Sequence, residues 1–217
     1  MMLLNSNWVI QKMNTSTQAS SVHSNDPYIA KIVATLFYML QKLGHSADKI
    51  QAVKLIYLAD KYHLAKYLRT ITDDRYIAME KGPVASMVLD ILNENSFKLS
   101  EEDILFCGQF IEKDPPYSFR AKKFPSTEIL NFLSQTEMEA LDWVVGKFGN
   151  WNTGQTIEFC HRYPEWKQHE SPLGAGKTKS EEIALSELLS KPVEGSDPFP
   201  FSEEDLKNAK SLLLGVD

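Results

Sequence analysis

The spacing of apolar residues predicts a chain made mainly of helices. After Asp26-Pro27, apolar side chains recur every three or four residues as far as Gly44, which is the period of an amphipathic helix. Asp26 is a suitable cap, Pro27 fits the first helical position, and Gly44 is a common helix terminator. The pattern therefore predicts a first helix over residues 27–43.

A second helix is predicted from Ser46 to about Arg69, and it is apolar on almost every side. Only a narrow arc near Lys54 and Lys61 is polar. A helix that is apolar nearly all round is expected in the interior of a protein. We therefore expect residues 47–69 to form the central helix.

The remaining pattern adds shorter elements. A short strand is predicted over 75–80, a helix from Gly82-Pro83 to about 95, and two hairpin arms at Ile104–Ile111 and Tyr117–Lys122. A capping box at Ser134–Glu137 predicts a helix to about 148, and further helices are predicted over 153–162, 181–190 and 202–214. The expected fold is a mainly α, compact helical domain around a central buried helix, with a small antiparallel β element (α+β).

Composition and the positions of proline and glycine divide the chain into three predicted parts. Residues 1–26, rich in Ser, Thr, Asn and Gln, are expected to be a flexible tail, residues 27–169 a helical domain, and residues 170–217 an acidic extension with short helices. Residues 180–217 hold nine acids and three bases, and this difference of six equals the net charge of −6. The extension is either a solvated tail or an acidic arm for a basic partner.

The sequence of the extension favours docking over disorder. Leu206, Ala209 and Leu213 recur at helical spacing, and the aromatic residues Phe199 and Phe201 precede them. Aromatic side chains are costly to leave in water. We expect this segment to pack on the domain and to turn its acidic face outward.

Composition excludes several classes of protein. The chain is 43% hydrophobic and 24% charged, as expected of a globular domain. It contains no apolar run of about 18 residues, so no membrane span is predicted, and its net negative charge argues against direct nucleic-acid binding. Cys107 and Cys160 are too few for a disulfide framework. These features predict a soluble cytoplasmic protein.

Asp60 is the most informative polar residue, because it interrupts an apolar face of the central helix. Such a carboxylate must be paired or hydrogen-bonded. It is expected to anchor a neighbouring turn, through either Arg75 or backbone N–H groups. The alternative, a general base, finds no nucleophile or second acid at a suitable spacing.

No spacing in the chain predicts a metal, a cofactor or a catalytic group. His161, Glu165 and His169 lie four residues apart, but Pro164 interrupts the helix that would align them. Cys160 and His161 are adjacent, so on a helix they point about 100° apart. Cys160 is expected to be a buried structural thiol, and Cys107 is expected to lie in a β segment.

Two motifs together resemble the Panacea antitoxin domain, a family also described as phage-associated. The first is Tyr57-Leu-Ala-Asp60 on the central helix. The second is the segment that ends in Gly82-Pro83-Val84. The residues that match the family signature are Tyr57, Asp60, Thr72, Asp74, Arg75, Tyr76, Ala78, Gly82, Pro83, Val84, His161 and Trp166.

The resemblance implies an antitoxin that neutralises a cognate toxin by direct binding, in a toxin–antitoxin system. It leaves open a proteolytic adaptor that delivers the toxin to a protease, and, as a weaker alternative, a hydrolase of unknown substrate. The implied partner is a toxin protein, with no cofactor and no membrane. A homo-oligomer and a hetero-oligomer with the toxin are both open, as is the surface that binds the partner.

Overall fold

The computed structural model describes residues 26–123, 125–176 and 178–216. The flexible tail predicted over residues 1–26 therefore lies outside the described residues, except for Asp26. In the described residues the α-helices are α1 Pro27–Leu43, α2 Lys49–Tyr67, α3 Ser86–Asn93, α4 Glu101–Phe110, α5 Gln135–Phe148, α6 Thr153–His161, α7 Pro164–Lys167, α8 Glu170–Gly174 and α9 Glu203–Leu214. Short 3₁₀ helices cover Thr127–Phe132 and Leu185–Leu188.

Two small antiparallel sheets complete the fold. The strands are β1 Ala47–Asp48, β2 Tyr76–Met79, β3 Gly82–Ala85, β4 Ile111–Asp114, β5 Ser118–Ala121 and β6 Ser180–Ile183. One sheet has the order β1-β5-β4 and the other β3-β2-β6. The predicted mainly α fold with antiparallel β structure is confirmed, and the protein is α+β rather than all-α.

Helix α2 lies at the centre of the fold. It contacts α1, α3, α5, α6 and β3, so neighbours surround it. The prediction of a central buried helix is confirmed, and even its narrow polar arc is enclosed. Lys54 and Lys61 are almost fully buried, with 0% and 4% of their surface exposed.

The helix predicted to start at Gly82-Pro83 begins three residues later, at Ser86. Residues 82–85 form strand β3 and pair with β2 in the register Ala78↔Pro83. β3 is an edge strand of its sheet. Proline is tolerated on an edge because its missing N–H breaks no ladder hydrogen bond there. The Gly-Pro pair therefore signals a hairpin here rather than a helix start.

The first predicted hairpin arm, Ile104–Ile111, is wrong, because residues 101–110 form helix α4. Ser100 and Asp103 make a reciprocal capping box at its start. That signal was present in the sequence and outweighs the apolar run that resembled a strand. Cys107 consequently lies in a helix, and the hairpin is formed by β4 and β5.

The helix predicted over 181–190 is also wrong. Residues 180–183 form β6, which pairs with β2 through Tyr76↔Ile183, and a 3₁₀ turn follows. Pairing with a distant strand overrides local helix propensity. No local pattern in this segment identifies its partner strand.

The end of the chain packs on the domain, as expected. Phe199, Leu206 and Ala209 are buried, whereas Glu203 and Glu204 in the first turn of α9 are exposed. The Phe199 ring lies against Trp143, with ring centroids 5.1 Å apart. The C-terminal segment is therefore part of the hydrophobic core.

Replacing Phe199 with alanine tests this docking. Phe199 is 6% exposed, so Phe199→Ala should lower the free energy of unfolding by about 3 kcal/mol through lost burial and a cavity. Phe97 is 94% exposed, so Phe97→Ala is a matched control that should change stability little. Urea denaturation of the two variants is the measurement. Equal stability would contradict docking of the segment.

Candidate functional site

Most of the signature residues lie on α2 or pack around it, and Asp60 is the most deeply bonded of those on the helix. Its side chain is fully buried. It accepts hydrogen bonds from the backbone N–H of Ile71 at 2.8 Å, from that of Thr72 at 3.0 Å and from the Thr72 hydroxyl at 2.6 Å. The Arg75 residue is exposed. Asp60 therefore holds the turn after α2 through backbone groups and Thr72, and not through Arg75.

The turn that Asp60 holds contains strained backbone. Leu68 and Asp73 have φ angles of 57° and 51°, in the left-handed region. This conformation costs a non-glycine residue about 1–2 kcal/mol. Three hydrogen bonds to one buried carboxylate offset that cost. They fix the path by which the chain leaves α2 and enters β2.

The environment of Asp60 shifts its ionisation. Burial raises the pKa of Asp60 to about 6, and the hydrogen bonds from Thr72 and Ile71 oppose the rise. The buried Tyr76 hydroxyl has no hydrogen-bond partner among the described atoms. The Tyr76 ring packs on Tyr57, with centroids 6.2 Å apart. The hydrogen bonds from the turn thus favour the ionised form of Asp60, whereas burial favours the neutral form.

Asp74 serves the helix that follows the hairpin. Ala85, at the cap position of α3, offers no side-chain acceptor. The Asp74 carboxylate instead accepts from the N–H groups of Met87 at 2.8 Å and Val88 at 3.1 Å. The Tyr28 hydroxyl also donates to it, at 3.2 Å. Asp74 therefore caps α3 from a distance and ties it to α1.

A buried ion pair joins α2 to α7. Lys61 Nζ lies 2.7 Å from Glu165 Oε1, and the Tyr57 hydroxyl donates to the same oxygen at 2.6 Å. Burial lowers the pKa of Lys61, and the Glu165 carboxylate opposes that change. Burial and the same carboxylate raise the pKa of Tyr57 well above its usual value. Lys61 and Glu165 together keep the interior electrically neutral at this point.

The same pair also holds the C-terminal segment. Lys61 donates to the Leu188 carbonyl, and the Ser190 hydroxyl donates to Glu165 Oε2 at 2.5 Å. The Lys61 ammonium also lies 4.0 Å from the centre of the Tyr163 ring. The chain beyond the family signature is thus bonded to the signature's central helix.

Lys54 meets the Gly82-Pro83 pair. Its ammonium donates to the Pro83 carbonyl. Gly82 has a φ of +98°, and a Cβ there would lie 2.7 Å from Lys54 Nζ and 3.1 Å from the His161 ring. Glycine is therefore required at position 82 both by conformation and by space. Burial lowers the pKa of Lys54 to about 8.

His161 and Trp166 close the other side of the hairpin. Their rings stack with centroids 3.5 Å apart, and Trp166 Nε1 donates to the Met79 carbonyl at 2.8 Å. Burial and the charges of Lys54 and Lys167 lower the pKa of His161 to about 4, so the ring is neutral at pH 7. His161 Nε2 has no hydrogen-bond partner among the described atoms. The stacked pair fixes α6 and α7 against β2.

The three residues considered as metal ligands do not converge. Glu165 pairs with Lys61, His161 stacks on Trp166, and His169 lies beside Gln168. Among the described residues, no group of three His, Cys, Asp or Glu side chains is placed to hold a metal ion. Burial raises the pKa of Cys160 to about 11, which keeps it a thiol. The contacts of Glu165 and His161 therefore hold α6 and α7 against α2 and β2.

Sequence reasoning gave no structural role to four of these residues. Lys54 and Lys61 were visible as the polar arc of α2. On a helix whose other sides are apolar and buried, such side chains are themselves expected to be enclosed and to need hydrogen-bond or ionic partners. Glu165 was noticed only for its spacing from two histidines. Ser190 carries no local signal at all, because its partner is distant in sequence.

Replacing Asp60 with asparagine tests its ionisation. The folded pKa of about 6 exceeds the unfolded value of about 3.9, so between these values the folded protein holds a proton that the unfolded chain has lost. The stability of the wild type relative to Asp60→Asn should therefore fall by ~1–3 kcal/mol as pH rises through this window. Denaturation at about pH 4, 6 and 8 measures this difference; a rise with pH would contradict the shift.

Asp60→Ala, at neutral pH, should cost ~3 kcal/mol because it strands three buried donors. Lys66→Ala, an exposed change on the same helix, is the control and should have little effect. A melting curve for Asp60→Ala that overlays the wild type would contradict an anchoring role.

The Lys61–Glu165 pair is tested against a surface pair. Lys61→Met leaves a buried carboxylate without its counter-charge and should cost ~3–5 kcal/mol. Lys42 and Asp142 form an exposed pair at 3.0 Å, so Lys42→Met should cost less than about 1 kcal/mol. Adding Glu165→Met to Lys61→Met should recover part of the loss. Equal effects of the two lysine changes would overturn the structural role of the pair.

Comparison with known proteins supports the sequence resemblance. A family model described as "Antitoxin SocA-like, Panacea domain" matches residues 53–167, just over half of the chain. No curated protein and no solved structure gives a significant match. No helix in the described part of the chain has the length and apolar character needed to cross a membrane. The matched segment contains every signature residue described above, and the chain belongs to the family of SocA-like antitoxins with a Panacea domain.

Proposed function

We propose that this protein is a cytoplasmic antitoxin that neutralises a cognate toxin by direct, stoichiometric protein–protein binding. The observation that carries the proposal is the family match over residues 53–167. The contacts of the signature residues support it, because they stabilise the fold and leave the outer surface free to vary. The phage association stays a prediction.

The geometry around Asp60 favours binding over catalysis. Its two oxygens are occupied by three donors of the turn, and its burial separates it from solvent. A general base needs a free lone pair within reach of a substrate proton. Asp60 is therefore a structural residue in this proposal, and the hydrolase is the weaker candidate.

The acidic face of α9 is the proposed contact for a basic toxin. Glu203, Glu204 and Asp205 occupy its first turn and are exposed, while the opposite face is buried through Leu206 and Ala209. Exposed charges of one sign accelerate association with an oppositely charged partner, and salt weakens the effect. The surface that contacts the toxin stays a prediction.

Titration of a purified toxin distinguishes the three functions. The candidate toxin is taken to be the product of a neighbouring gene, as the family resemblance implies, and its activity is measured against increasing amounts of this protein without protease. Direct binding predicts complete loss of toxin activity at a fixed integral ratio, with a complex that survives gel filtration. Loss far below an equimolar ratio would indicate an enzyme. Protection that appears only with an added protease would indicate an adaptor.

The same titration tests the acidic face with a matched pair of variants. Helices α4 and α9 both begin with Ser-Glu-Glu-Asp and a capping box. The double variant Glu203→Gln/Glu204→Gln should weaken toxin binding at low salt, whereas Glu101→Gln/Glu102→Gln on α4 should not. Equal affinities of the two variants would exclude steering by α9 while leaving direct binding intact.

A further inference from the structure

The two lysines buried on α2 differ in how their charges are compensated. Lys61 has the Glu165 carboxylate at 2.7 Å. Lys54, two turns earlier and equally buried, donates to the Pro83 carbonyl, and it takes part in none of the salt bridges found in the described part of the chain. A buried cation without an anion is costly. An anion next to Lys54 would therefore be strongly stabilised.

A cavity of about 300 Å³ lies beside this uncompensated charge. It is bounded by α2, the β2–β3 hairpin and α3, and Lys54 forms part of its wall. Most of the remaining wall is aliphatic, contributed by Ile50, Val53, Met79, Val84 and Leu89. A volume of this size is at the lower end of the range that holds small-molecule ligands.

The charged residues around the cavity favour an anion. Lys49 and Lys81 lie at its edge together with Glu80, so with Lys54 the wall carries three bases and one acid. Residues 180–217 carry the whole net charge of −6, so the rest of the chain is neutral on balance and the excess of bases here is local. Lys81 is exposed and Lys49 is partly exposed, so water solvates both ammonium groups. Lys54 is buried, and it is therefore the base that gains most from an incoming anion.

We propose that this cavity binds a small aliphatic carboxylate, with its chain against the aliphatic wall and its carboxylate directed toward Lys54. Gly82 leaves room for the ammonium, since a Cβ there would lie 2.7 Å from Lys54 Nζ. Hydrocarbon contact supplies affinity, and the buried charge selects an acid over an alcohol or an amine. The site goes beyond toxin neutralisation and does not depend on the toxin's identity.

Titration with hexanoate tests the site directly. Isothermal titration calorimetry should show saturable one-site binding of hexanoate. In a parallel NMR titration, the methyl resonance of Met79 should shift and so place the ligand in this cavity. Hexanol should bind at least tenfold more weakly, and hexylamine should not bind. Absence of saturable hexanoate binding up to ~10 mM, or equal binding of hexanoate and hexanol, would overturn the proposal.

Two lysine variants identify the charge responsible. Lys54→Met keeps a side chain of similar length and removes the charge. It should weaken the binding of hexanoate at least tenfold without weakening the binding of hexanol. Lys49→Met removes the same charge at the edge and should change hexanoate binding less than threefold. Equal losses in the two variants would contradict a specific role for Lys54. If Lys54→Met does not fold, Leu89→Trp fills the cavity from α3 and should abolish hexanoate binding; retained binding there would also overturn the site.

Discussion

The middle of helix α2, from Gln51 to Leu64, is buried on every side, so each polar side chain there must find a partner inside the protein. Asp60 accepts hydrogen bonds from the backbone of residues 71–72, Lys61 forms an ion pair with Glu165, and Lys54 donates to the Pro83 carbonyl. Each partner belongs to a different segment of the chain. The desolvation of three charged groups on one helix is therefore what joins the turn, the hairpin, α7 and the C-terminal segment into a single structure.

This constraint explains why most of the family signature lies in the interior. Tyr57, Asp60, Thr72 and Gly82 are buried and make contacts that hold the fold. Under the proposed antitoxin function, recognition of the toxin would therefore use exposed residues that these interior contacts do not occupy.

The sequence predicted the parts of the fold whose signals are local. The cap at Asp26, the capping box at Ser134 and the apolar period of α1 were sufficient to place helices. β6 could not be predicted, because its pairing with β2 joins residues about a hundred positions apart. The partners of Lys54 and Lys61 could not be predicted for the same reason, since Pro83 and Glu165 are distant from them in sequence.

Native-state hydrogen exchange at the amides of Ile71 and Thr72 tests the central claim most directly. Both residues lie in a turn, and their N–H groups donate to Asp60. If the buried carboxylate holds the turn to α2, these amides should exchange only on global unfolding, as slowly as that of Leu58 in the middle of the helix. Exchange as fast as that of Phe97, in an exposed loop, would show that the turn opens independently of α2 and would contradict the account.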